Sequence, residues 1–263
     1  MIALRSLLFG AVFFPWSALC SIFVPVSLVF PRRFMQNIVK VWGIGVRWQL
    51  KWVVGLNWRA EGLENLPDGP YVVASKHQSA WDTMVFHVLL PDPVYVVKKE
   101  LTHIPFWGWG FYKAGCVVVD RRAGAKALKH LVVGVRAAIA RGSQVVIFPE
   151  GTRTAPDELV DYHPGIAAIY RDAGVPIVPV ALDSGIFWGR VAFTKYPGEI
   201  TIRFMEPIPP GMDRRDFLAL LQERVQGESA RLLAEKRATY PWLPSPSTAT
   251  GLAVPSAPAD PPA

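Results

Sequence analysis

The chain has little with which to build a cross-linked or metal-held fold. It carries two cysteines in 263 residues, Cys20 in an apolar run and Cys116 in a predicted strand. Neither has a Cys or His at ligand spacing, so no metal site is expected and both read as buried, reduced thiols. A catalytic Cys116 would lack a partner in the sequence. There is no long basic run, no helix-turn-helix pattern and no RNA-binding signature, so the net charge of +7 does not read as a nucleic-acid footprint. No Gly-rich turn is followed by G-K-[ST], which argues against a P-loop. No segment repeats. The most informative absence is local, because residues 7–30 contain no Asp, Glu, Lys or Arg.

That uncharged run exceeds the ~20 residues a spanning helix needs, and it continues past the faint cleavage-like Ala18-Leu19-Cys20. It reads as a retained membrane anchor. Pro15 and Pro25 should kink or break it, so one span and a re-entrant hairpin are both compatible with the sequence. Arg32, Arg33, Lys40, Arg47 and Lys51 follow, an excess of cations that places the next segment on the cytoplasmic face of the cell (inner) membrane. Residues 35–57 mix apolar residues, cations and Trp42, Trp48 and Trp52, the pattern of an interfacial helix or of an amphipathic helix on the domain's own core. The whole chain agrees with a lipid setting. It is 51% hydrophobic, with a mean hydropathy of +0.24, ten Trp and a pI near 9.5.

Beyond residue 57 strands and helices alternate. Strands are expected at 71–75, 94–98, 116–119, 145–148, 177–182 and 199–204. Helices are expected up to 90, at 122–141, 165–172 and 213–237. This is an α/β fold, a mixed sheet flanked by helices with an N-terminal membrane-embedded helical segment. The expected division is an anchor and interfacial helix over 1–57, a catalytic domain over 58–239 and a disordered Pro/Ala-rich tail over 240–263. The aromatic-rich residues 102–113 read as the wall of an apolar channel or as core.

The first predicted strand of the domain runs into Ser75-Lys76-His77-Gln78-Ser79-Ala80-Trp81-Asp82, a polar turn entering a helix. A histidine with a carboxylate on one ring nitrogen is a general base with its tautomer fixed. Five positions apart in a continuous helix the two side chains would diverge, so they meet only if His77 lies in the turn and Asp82 in the first helical turn. Ser79 and Asp82 have capping-box spacing, which supports that placement with Ser79 as N-cap. The simpler alternative is a solvated His77 and an Asp82 that only favours the helix start.

His77 and Asp82 resemble the first motif, H-x-x-x-x-D, of the glycerolipid acyltransferases of the 1-acyl-sn-glycerol-3-phosphate (lysophosphatidic acid) acyltransferase family. Three further stretches resemble that family's motifs in order. They are Gly115-Cys116-Val117-Val118-Val119-Asp120-Arg121, then Phe148-Pro149-Glu150-Gly151-Thr152-Arg153, then Val175-Pro176-Ile177-Val178-Pro179-Val180-Ala181. The resemblance implies transfer of an acyl group from a thioester, acyl-CoA or acyl-acyl carrier protein, to a lysophospholipid hydroxyl, with no bound cofactor. It implies His77 as base and Asp82 as its orienter. It also implies that Arg121, Glu150, Gly151, Thr152 and Arg153 bind the acceptor, and it agrees with a membrane-embedded N-terminus. Two positions depart from the family's pattern. Lys76 stands where Asn is frequent, and Tyr162-His163-Pro164-Gly165 has no Lys where the family often has one before the Gly. Lys98, Lys99, Lys113, Arg122, Lys126 and Lys129 form either a basic patch for the donor or a solvated face. Other readings are a different lyso-lipid acceptor such as a lyso-aminolipid, a thioester or lipid ester hydrolase, and a non-enzymatic membrane adaptor.

Overall fold

The computed structural model describes residues 1–245. Helix α1 (Ile2–Ser27) runs antiparallel to α2 (Arg32–Gln49), which a π-turn extends over Leu50–Val54. Pro15 and Pro25 lie inside α1 without ending it. Each removes one backbone donor, but packing holds the helix at both places. Beside Pro15, Trp16 Nε1 donates to Trp42 O at 3.1 Å, and beside Pro25, Val24 is buried with Met35 of α2.

The domain then runs β1 (Leu56–Glu61), β2 (Val72–Ser75), α3 (Asp82–Leu89), β3 (Pro93–Lys98), α4 (Trp107–Lys113), β4 (Val117–Val119), α5 (Ala125–Ala140) and β5 (Gln144–Ile147). It continues with α6 (Pro164–Ala173), β6 (Ile177–Leu182), the short α7 (Ser184–Phe187), β7 (Gly198–Phe204) and α8 (Arg214–Thr239). The seven strands form one sheet in the order β1-β7-β6-β2-β5-β3-β4. Strands β6, β2, β5, β3 and β4 are parallel, while β7 is antiparallel to β6 and pairs in parallel with β1. The five parallel strands therefore send their C-terminal ends, and the loops that follow them, to one edge.

Both faces of the sheet are covered, and the alternation of β2 shows how. Val73 packs with Trp81, Phe86 and Val178 on the face that also receives Phe9 of α1 and Val46 of the α2 helix. Val72 and Ala74 point the other way, to Leu131 of α5, Ile166 of α6 and Leu221 of α8. The hairpin thus shares the domain's core. Arg5 Nη1 donates to Val54 O at 3.2 Å, Lys195 N donates to Ser6 Oγ at 2.9 Å, and Trp107 Nε1 donates to Ser21 Oγ at 2.7 Å. Outward, Leu8, Val12, Phe14, Leu19 and Phe23 are exposed.

Helix α2 packs as an amphipathic helix on the domain's own core and keeps part of its Trp surface outside. Met35, Val39 and Val46 are buried, whereas Trp48 and Trp52 face out. Trp42 turns inward instead, its Nε1 donating to Ser17 Oγ at 3.0 Å. The ordered chain also runs past residue 239. Leu243 is buried, and Trp242 Nε1 donates to Pro197 O at 3.1 Å, so residues 240–245 are packed by their aromatic and apolar side chains. The rest of the expected tail lies outside the described residues.

Candidate active site

Four loops converge at the C-terminal edge of the parallel strands. They are the turn after β2, the turn after β4, the long loop after β5 and the β6–α7 junction. The β2 turn holds the expected pair, with His77 Nδ1 3.0 Å from Asp82 Oδ2. Asp82 is fully buried and the His77 side chain is 13% exposed. With a carboxylate on Nδ1 that nitrogen carries the proton, and Nε2 is left to accept one. The imidazole lies flat on Phe148, ring centroids 3.9 Å apart, which fixes the one rotation the carboxylate leaves free.

Half of the expected capping box forms. Asp82 Oδ2 accepts from Ser79 N at 2.8 Å and also from Gln78 N at 2.6 Å. Ser79 Oγ, however, accepts from Trp81 N at 3.2 Å, and regular helix begins only at Asp82. The turn is tighter than a capping box because one carboxylate oxygen gathers two backbone donors and the imidazole.

The third motif lies beneath this turn. Glu150 is buried and forms an ion pair with the equally buried Lys76 Nζ. Its other oxygen accepts from His77 N at 3.0 Å and from Thr154 Oγ1 at 3.2 Å. Thr154 N in turn donates to His77 O at 2.9 Å. The Lys76 cation therefore points away from the imidazole. Burial pushes the Glu150 carboxyl above its ordinary range, and Lys76 with the His77 and Thr154 donors pulls it back.

Arg121, exposed after β4, donates from Nη1 to Gly151 O. Gly151 has φ +68°, and a Cβ there would lie 2.4 Å from His163 Cδ2 and 3.1 Å from Arg121 Nη1. The glycine opens a notch between two cationic or protonatable side chains, which only a residue without a side chain permits. Thr152 is exposed and Arg153 half-buried at its rim. Among the described residues the Arg153 guanidinium has no hydrogen-bond partner, while its carbonyl accepts from Arg190 Nη1 at 3.3 Å.

Several of these residues carry little or no signal in the sequence. Thr154 directly continues the third motif, and His163 lies in the segment that lacks the family's Lys. Ser184 and Gln78 carried no signal, because their contacts reach across a hundred residues. Ser184 Oγ donates to Asp82 Oδ1 at 2.5 Å, and Gly185 N donates to Gln78 Oε1 at 3.0 Å. Two titratable groups beside Tyr95, away from this edge, are silenced by burial. The Cys116 thiol is pushed up to about 11 and the His87 imidazole down to about 4, so neither competes with His77 as nucleophile or base.

Known proteins share the sequence and the fold of this chain. The Acyltransferase family profile matches residues 57–183. The 1-acyl-sn-glycerol-3-phosphate acyltransferase of Pseudomonas aeruginosa is 32% identical over 237 residues, covering 89% of this chain and 86% of its own. This chain belongs to that family. The 1-acyl-sn-glycerol-3-phosphate acyltransferase of Saccharomyces cerevisiae is 28% identical, over 71% of this chain and 63% of the yeast protein. The crystal structure of the 1-acyl-sn-glycerophosphate acyltransferase of Thermotoga maritima superposes with a TM-score of 0.73 at 21% identity, over 88% of this chain and 98% of that one. The superposition gives this acyltransferase a shared fold that includes the α/β sheet.

Proposed function

We propose that the protein transfers a fatty acyl group from a thioester to the free hydroxyl of 1-acyl-glycerol-3-phosphate, giving phosphatidic acid. The observation that carries this is the 3.0 Å contact between His77 Nδ1 and a fully buried Asp82, at a sheet edge that also carries Arg121 and Arg153. His77 Nε2 takes the hydroxyl proton as the oxygen attacks the thioester carbonyl. The C–S bond then breaks, and the departing thiolate receives the proton from the imidazolium. Asp82 holds the tautomer and favours the imidazolium that forms. Arg121 and Arg153 bind the acceptor phosphate, with Thr152 and the Gly151 backbone beside them and His163 on the opposite rim. Glu150 serves from below, accepting from His77 N on one oxygen while Lys76 neutralises the other. The donor is acyl-CoA or acyl-acyl carrier protein, and the exposed Arg122, Lys126 and Lys129 are placed after β4 to meet its phosphates or acidic surface.

The enzyme works on a membrane, on the cytoplasmic face of the inner membrane. Helix α1 is the one described helix long and apolar enough to cross a bilayer, and 17% of its most apolar window is buried. It is fastened to the domain from Arg5 to Ser21, so it lies along one leaflet with its outward face in lipid.

The test is thiol release from acyl-CoA and from acyl-acyl carrier protein, with and without lysophosphatidic acid. Acceptor-dependent release is expected, reduced roughly 10²- to 10⁴-fold in His77→Ala. Release independent of acceptor would instead mark a hydrolase, and an undiminished His77→Ala would remove His77 as base.

A further inference from the structure

The segment between β3 and β4 carries an apolar face that the reaction does not use. Leu101, Ile104, Phe106, Trp109 and Tyr112 are 41–60% exposed. The opposite side of α4 is fastened to the hairpin. Trp107 packs at a tilt on Trp42 with centroids 5.4 Å apart, a Cβ on Gly110 would lie 2.7 Å from Met35 Cε, and Lys113 Nζ donates to Leu28 O at 3.0 Å. The exposed rings thus continue the outward apolar face of α1, where Ile22, Phe23 and Val26 are also exposed. Phe106 holds φ at +63°, in the left-handed region, with its ring edge-on to Trp109 at 5.9 Å. We propose that α4 and its approach are a further membrane-contacting element, taking the interfacial lipid of the leaflet that receives α1. Aromatic rings followed by a cation fit that boundary. The proposal rests on the peripheral membrane reading above. It has a consequence for substrate entry, because Lys99, where this segment leaves β3, pairs with Asp120 at 2.9 Å, next to Arg121. Seating this segment brings the Arg121 loop to the headgroups. The test is a polarity-sensitive thiol fluorophore on Tyr112→Cys, in the full chain carrying Cys20→Ala and Cys116→Ala, with Arg136→Cys on α5 as control. On phosphatidylethanolamine/phosphatidylglycerol vesicles the Tyr112→Cys emission is expected to shift to the blue and be quenched by brominated lipid, and the control is not. Unchanged emission from protein that cosediments with the vesicles would overturn the proposal and leave the peripheral reading standing. Failure to cosediment would overturn both.

A different observation concerns the carboxylate behind His77. Three donors converge on Asp82 Oδ2, namely His77 Nδ1, Gln78 N and Ser79 N. Among the described residues Oδ1 has one, the fully buried Ser184 Oγ at 2.5 Å, 102 residues further along the chain. We infer that Ser184 is a positioning residue for the reaction, pinning the rotation of the carboxylate so that Oδ2 stays on the imidazole. Gly185 N on Gln78 Oε1 holds the same junction against the same turn. Ser184→Ala is expected to lower kcat roughly 10- to 100-fold, the range for one hydrogen bond to a charged group, with both KM values within about twofold of wild type. In an Asp82→Ala background it is expected to add nothing further. Wild-type kcat in Ser184→Ala, or losses that multiply across the two sites, would overturn the inference.

Discussion

The hairpin α1–α2 and the C-terminal edge of the parallel strands break the rule of apolar inside and polar outside in opposite directions. The hairpin shows Leu8, Val12, Phe14 and Trp48 to the outside, while the edge buries Lys76, Glu150, Asp82 and Asp183. Each is stable only because of what meets it. The hairpin's outer face needs a solvent other than water. The buried charges need one another, since an unpaired charge in the interior is expensive and a paired one is tolerable. The difference locates the two functions. Under the proposed function, one region is shaped by the lipid outside it, and the other by the transition state it must hold.

The buried edge breaks first. Lys76→Met leaves Glu150 buried without its cation, and a loss of about 3–5 kcal/mol is expected. In calorimetry the thermal midpoint should fall roughly 6–20 °C, at the 2–4 °C per kcal/mol usual for a chain of this size. Lys76→Met with Glu150→Gln together should recover much of it. Asp183 comes next. Its carboxyl accepts from Thr201 N at 2.9 Å, with Lys236 Nζ 3.9 Å away, and burial, outweighing that cation, pushes it up to about 7. A solvated aspartate titrates near 3.9. Between those values the folded chain holds a proton that the unfolded chain releases. The group's contribution is therefore fully present below about pH 4 and lost as pH rises through about 7, a change of about 4 kcal/mol. Denaturant titrations of Asp183→Asn should show that slope removed.

Arg153→Ala tests the rim rather than the interior. Loss of a charge-assisted contact worth about 1.5–3 kcal/mol predicts an acceptor KM raised roughly 10- to 150-fold, with kcat for a saturating acceptor little changed. The hairpin should respond in the opposite medium. Phe14→Ser is expected to leave the thermal midpoint in buffer nearly unmoved, within about 0.5 kcal/mol. On vesicles it should weaken cosedimentation by about 1.5–3 kcal/mol of lost apolar transfer.

The sequence disclosed the parallel strands because each is a short apolar run closed by a turn, and it disclosed His77, Asp82 and the third motif because their spacing is local. It hid β1, whose Leu56-Asn57-Trp58-Arg59-Ala60-Glu61 sits where an interfacial helix was expected to end. It hid α4 because Gly108 and Gly110 are poor helix formers. A Cβ on Gly108 would lie 1.9 Å from Thr102 O, so tertiary closeness selected the glycine over propensity. It also hid the division of labour within the third motif. Glu150 and Arg153 lie three positions apart, yet one is buried under His77 and the other stands at the rim. The partners that decide which include Lys76 and His77, 74 and 73 residues earlier.

One contact bears on how the chain is made. Ser6 meets Lys195, 189 residues later, and Phe9 meets Trp188, with centroids 5.5 Å apart. At the ~5–20 residues per second of translation, α1 leaves the ribosome roughly 10–40 s before its seat on the domain has been synthesised. Until then α2 covers one side of it, and the rest of its apolar surface is left for a bilayer or a chaperone, so the order of synthesis favours early delivery of the hairpin to a membrane.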